Sequence, residues 1–108
     1  MRIGDLGPAR HERPVIDEAA LTAARSAERL LNAARARGLT RWEEFLAQVP
    51  GLLRDVAIAD LRRVAMRARA AYGPKDSIRE MFPADLTEPF LNDLDRLLKA
   101  LARDAMER

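Results

Sequence analysis

The sequence predicts an all-α fold, a helical bundle of three long helices with two short bridging helices, and three observations predict it. Twenty of the 108 residues are Ala and fifteen are Leu, against five Gly and three Phe, a composition of strong helix formers. Apolar residues recur at helical spacing over long windows. No segment alternates with period two over a useful length, so strands are not expected. Hydrophobic residues make up 48% of the chain and charged residues 33%, which places it among globular rather than disordered sequences. The length suits a single modest core.

Residues 1–15 read as an extended N-terminal arm, punctuated by Gly4, Gly7, Pro8 and Pro14, and residues 16–108 as a single helical-bundle domain. The first long helix is expected over 17–37, with Asp17 as N-cap and Ile16 and Leu21 placed as a hydrophobic staple. Gly38 ends it from the position that favours a left-handed residue. Ala20, Ala23, Ala24, Ala27, Leu30, Leu31 and Ala34 fall within about a third of its circumference. Side chains this small let another helix approach closely, so that face is core.

Thr40-Arg41-Trp42-Glu43 matches the capping box and opens a short helix over 41–48 that presents Trp42, Phe45 and Leu46. Pro50 and Gly51 separate it from a long helix over 51–72, which Gly73 and Pro74 stop. Ser77-x-x-Glu80 is a second capping box and implies one helical turn carrying Ile78, Met81 and Phe82. The last long helix is expected over 88–106, capped by Thr87 with Pro89 in its first turn. Phe90, Leu91, Leu94, Leu97, Leu98, Leu101 and Ala105 make its apolar face.

The 51–72 helix differs from the others in having two apolar faces. One gathers Leu53, Ala57, Ile58, Leu61, Val64, Ala65, Ala68 and Tyr72; the other carries Leu52, Val56, Ala59, Met66 and Ala70. Arg62, Arg63, Arg67 and Arg69 border the second face. It is either covered by neighbouring helices or open to a partner, since an apolar centre rimmed by Arg is a normal interface composition.

Charge changes sign just beyond that helix. Residues 1–79 carry fifteen Lys and Arg against ten Asp and Glu, and residues 80–108 carry four against seven. The net charge is only +2, and seventeen of the nineteen cations are Arg. The pI of about 9.7 therefore reflects arginine, which does not titrate near neutrality, more than an excess of positive charge. The four arginines of the 51–72 helix suit phosphates, the acidic C-terminal third of the same molecule, or a partner's carboxylates.

Catalysis is not expected. Ser26 and Ser77 are the only serines and His11 the only histidine, and a tail residue rarely supplies the oriented imidazole of a Ser–His pair. Cysteine is absent, which removes disulfides, thiolate chemistry and Cys-type zinc sites. No Glu-x-x-His spacing of helical-bundle metal sites and no Gly-rich phosphate loop occurs. Asp93 and Asp95 point about 200° apart on a helix and cannot share one site. No cofactor and no metal are therefore expected. The chain lacks an apolar run long enough to span a membrane and an N-terminal apolar h-region. A cytoplasmic bacterial protein is the expectation.

The order of landmarks resembles a family of small uncharacterised bacterial all-helical proteins. In that family a Trp-x-x-Phe element precedes a helix ending in Tyr-Gly-Gly, followed by Gly-Ser and an Asn-Asp pair before a last Leu-rich helix. Trp42 and Phe45 match the first element, and Tyr72, Gly73, Ser77 and Phe82 match parts of the second. The likeness covers roughly residues 20–105 and departs at Pro74, Asp76, Arg79 and Glu80. Such proteins resemble the immunity proteins encoded beside bacterial toxins, so the resemblance implies a protein that binds and blocks a toxin.

The expected function is thus a non-catalytic protein-binding module of the immunity or antitoxin kind. Its expected surface combines Arg62, Arg63, Met66, Arg67 and Arg69 with Lys75, Asp76, Arg79 and Glu80 at the rim. The alternative is a small helical subunit of a ribonucleoprotein assembly that binds nucleic-acid backbone through the same arginines. A homodimer through the second apolar face of the 51–72 helix is a third possibility.

Overall fold

The computed structural model describes residues 8–74 and 77–107, and all regular structure among them is helical. Six α-helices occur there: α1 Pro14–Ala36, α2 Thr40–Ala47, α3 Val49–Asp55, α4 Ile58–Arg69, α5 Ile78–Met81 and α6 Ala84–Glu107. Two 3-10 turns, Arg10–Glu12 and Ala70–Tyr72, precede α1 and follow α4. Helix α1 lies along α6 and also packs on α2 and α3, while α4 bridges from α3 to α6. One cluster of buried apolar side chains runs through all six α-helices.

Residues 1–7 of the expected arm lie outside the described residues. Residues 8–15 are not extended throughout, because α1 starts at Pro14 with Arg13 as N-cap. Pro is favoured at this first helical position, where its missing N–H costs nothing. Asp17 is therefore not the cap but an acidic residue of the first turn, paired with Arg10 at 2.7 Å. Ile16, placed inside the helix, is buried rather than forming a staple outside it.

The far end of α1 follows expectation. Gly38 has φ +66°, and the amides of Leu39 and Gly38 donate to the carbonyls of Ala34 and Arg35, the paired bonds of a Schellman ending. Glycine adopts that left-handed conformation without steric penalty. Thr40, by contrast, does not cap α2. The cap position is Leu39 with no side-chain bond, and the Glu43 carboxylate turns instead to Arg35 at 3.5 Å.

The continuous 51–72 helix is corrected to two helices and a turn. The chain leaves helical geometry at Val56 and Ala57, whose ψ angles are 155° and 156°. No Gly or Pro marks the break, and the hydrophobic phase runs through it, so periodicity alone does not expose it. The cause is tertiary. Helix α3 packs on α1, whereas α4 must turn to reach α6. Arg10 closes the junction by donating from Nη1 to the Val56 carbonyl at 2.8 Å, placing a cation at the C-terminal end of α3 where the macrodipole favours it.

Helix α6 begins at Ala84 rather than near residue 88, so Pro89 sits inside it. The Pro83 carbonyl accepts from the amides of Leu86 and Thr87 and starts the helix one turn earlier than Thr87 would. Thr87 is buried, not a cap. Ser77 does cap α5, accepting from the Arg79 amide at 3.1 Å, but the Glu80 side chain makes no return bond in that cap.

Candidate functional site

The break at Val56 gives the molecule a concave surface. Helices α2, α3 and α4 enclose a groove of about 240 Å³. Its apolar wall comes from Phe45 of α2, Val49 and Leu52 of α3, Val56 at the junction, and Val64 and Ala68 of α4. Arg63 and Arg67 stand one turn apart on one rim, and Glu44 and Gln48 on the other. The second apolar face read from the sequence is therefore not covered by neighbouring helices. Leu52 is 39% exposed and Met66 48%, and Ala59 and Ala70 are also exposed.

The sequence-derived surface residues separate into four groups. Arg63 and Arg67 line the groove, with Arg62 and Met66 exposed on the same helix. Arg63 also approaches Asp60 at 3.3 Å, a surface contact at helical spacing that contributes little. Among the described residues, Arg62 and Arg67 have no ion pair. Lys75 and Asp76 lie outside the described residues.

Arg69 and Arg79 are not brought to the groove. Arg69 donates from Nε to Asp95 of α6 at 2.6 Å, and that hydrogen bond holds its guanidinium pKa above the ordinary value. Arg79 grips Glu88 of α6 with two bonds of 2.9 and 2.8 Å, the bidentate geometry suited to a guanidinium and a carboxylate. Its guanidinium carbon also sits 5.4 Å from the centre of the Tyr72 ring, within cation–π range. Both arginines are occupied by the acidic C-terminal helix of their own chain. Glu80 faces a separate crevice with Thr40, Arg41 and Trp42.

This corner is the most perturbed electrostatically. Arg79 first, and the Thr87 hydroxyl second, hold the Glu88 carboxyl at about 2. Burial pushes the Tyr72 hydroxyl well up, with nearby Glu88 adding to it, and that hydroxyl donates to the Thr87 carbonyl. A depressed carboxyl stabilises the fold fully above its unfolded value of 4.5, and the effect fades as pH falls toward 2. Glu88→Gln is expected to be less stable than wild type at neutral pH, by a small amount because the pair is exposed. Urea titrations at several pH values should show the gap close between pH 4.5 and about 2, the interval between the unfolded and folded values.

The two aspartates expected to point apart do so in a specific way. Asp93 accepts from the Ser26 hydroxyl on α1 at 2.5 Å, and Asp95 pairs with Arg69 at the end of α4. Ser26 is buried and also accepts from Arg29, so its hydroxyl is fully used in joining α1 to α6. His11 is exposed in the first 3-10 turn. Among the described residues, no group of three or more His, Asp or Glu side chains could hold a metal ion, and no helix is long and apolar enough to cross a membrane.

Sequence reasoning missed the opposite wall of the groove. Phe45 was legible as an apolar position of α2, but its partners are not. Trp42 packs edge-on against Phe45 at 5.9 Å and against Phe82 at 6.1 Å, which ties α2 to the α5 corner and turns Phe45 to the groove side. Comparison with protein-family models, curated proteins and solved structures found no match to this chain.

Proposed function

We propose that the protein is a non-catalytic binding module of the immunity or antitoxin kind, which engages an acidic surface of a partner protein with the α2–α3–α4 groove. The observation that carries this reading is the pairing of an open apolar wall with two exposed rim arginines, Arg67 without an ion pair among the described residues and Arg63 held only by a surface contact to Asp60. Phe45, Leu52 and Val56 offer apolar contact with Arg63 and Arg67 on the rim, while Arg62 and Met66 extend the exposed surface on another side of α4. Apolar centre and Arg rim together match an interface core and its border. Arg69 and Arg79, spent on Asp95 and Glu88, contribute shape and rigidity rather than contact.

The test is retention of a partner from nuclease-treated native lysate by the immobilised full chain. Wild type is expected to hold a protein through a wash in high salt, because apolar contact persists when surface charges are screened. Arg63→Glu combined with Arg67→Glu is expected to lose it while helical circular dichroism stays unchanged. Retention undiminished in the double variant would overturn the site. In a parallel run without nuclease, retained nucleic acid that washes off steeply with salt would favour the ribonucleoprotein reading instead.

A further inference from the structure

A second concavity lies along the seam between α1 and α6 and shares no lining residue with the first groove. It has a volume of about 430 Å³ and a floor that includes Ala19 and Ala100. Val15 stands at its margin, 68% exposed. The two helices run antiparallel there, since Arg13 bonds Asp104 and Ser26 bonds Asp93. The rim differs from that of the first groove in carrying both signs. Glu18 and Arg25 come from α1, and Asp93 and Arg96 from α6. Among the described residues, Glu18, Arg25 and Arg96 have no ion pair.

We propose that this α1–α6 seam docks a second copy of the chain in a twofold dimer. Glu18 and Arg25 are seven residues apart, which puts them on one face of α1 about 10 Å from each other. When two copies of α1 cross antiparallel near Thr22, Glu18 of each meets Arg25 of the other. One rotation satisfies both pairs, the self-complementarity an isologous interface requires. The same approach covers Val15 with the aliphatic stem of a facing arginine.

Size agrees with this occupant. The outer faces of α1 and α6 are about 35 Å long and about 20 Å across together, on the order of 700 Å² per copy, close to the roughly 800 Å² per partner of a stable interface. The α4 face does not suit self-association. A twofold there would bring Arg62, Arg63 and Arg67 against their own copies, and like charges facing each other disfavour a contact. The dimer thus leaves the α2–α3–α4 groove free.

Sedimentation of the full chain at low ionic strength tests this, from micromolar to submillimolar concentration. Wild type is expected to move toward dimer mass as concentration rises. Glu18→Arg alone, or Arg25→Glu alone, creates two like-charge contacts per dimer and should weaken association about 100-fold or more. Combining the two reverses both partners and should restore the dimer, which a merely structural role for either residue would not produce. Arg63→Glu with Arg67→Glu should dimerise as wild type does. A monomer at every concentration overturns the proposal, as do single reversals that dimerise normally, a double reversal that stays monomeric, or loss of the dimer in the α4 variant.

Discussion

Phe90→Ala is expected to lower the unfolding free energy by about 3–5 kcal/mol. The Phe90 side chain is fully buried in α6, and its ring centre lies 6.5 Å from that of Tyr72. Truncation removes apolar contact and leaves a cavity at the place where α6 meets the end of α4. Neighbours cannot close it easily, because Tyr72 is anchored to the Thr87 carbonyl and overlaid by Arg79. For a chain of this size the melting temperature should fall by at least about 12 °C. Phe90→Leu, which keeps most of the volume, should cost less than about 1.5 kcal/mol. Equal losses for the two variants in urea titrations would show that the site collapses around either side chain.

Ala27→Leu is the second large expected effect, in the opposite steric sense. Ala27 has no exposed surface, on a buried α1 face that also carries Ala20, Ala23, Ala24 and Ala34 beside Leu30 and Leu31. The neighbouring helices sit close because the alanine side chains are small, so three added carbons must push a helix outward or adopt a strained rotamer. Overpacking of this kind costs about 1–3 kcal/mol. Ala36→Leu provides the control, since Ala36 is exposed on the same helix and Ala and Leu differ little in helix propensity. Thermal melts should separate the two substitutions clearly.

The candidate site shows which parts of such a surface can be read in advance. Arg63, Met66 and Arg67 were legible because positions three and four apart share a helix face whatever surrounds it. Leu52 and Val56 were legible as apolar positions on that side. The groove itself was not. It needs the bend at Val56 and the wall from α2, and neither leaves a Gly, a Pro or a change of hydrophobic phase at residues 56–57. The same limit applies to Arg69 and Arg79. They match Arg63 and Arg67 in chemistry, and only the positions of Asp95 and Glu88 on α6 separate the pair bound across the fold from the pair left at the groove.

The charge reversal beyond residue 79 takes on a physical meaning in this light. Part of the acidic C-terminal third neutralises arginines from the preceding segment, with Asp95 taking Arg69 and Glu88 taking Arg79. Asp104 does the same for Arg13. Helix α6 therefore withdraws cations from the surface along its length and leaves those of the α4 outer face available. The Tyr72–Phe82 segment, where pattern and charge both change, is largely a structural corner. Ser77 caps α5, Ile78 and Phe82 enter the core, and Arg37 donates to the Met81 carbonyl.

By itself the sequence determined the all-α class, the small-residue face of α1, the glycine ending at Gly38 and the amphipathic stripe of α6. Each follows from local propensity and a fixed helical period, which act within one or two turns of the chain. Tertiary structure alone decided that the 51–72 segment divides at Val56, and which arginines are taken up by α6. Those outcomes depend on contacts between residues far apart in sequence, such as Arg10 with Val56 and Arg69 with Asp95. No local period encodes such contacts, because they exist only once the helices have packed.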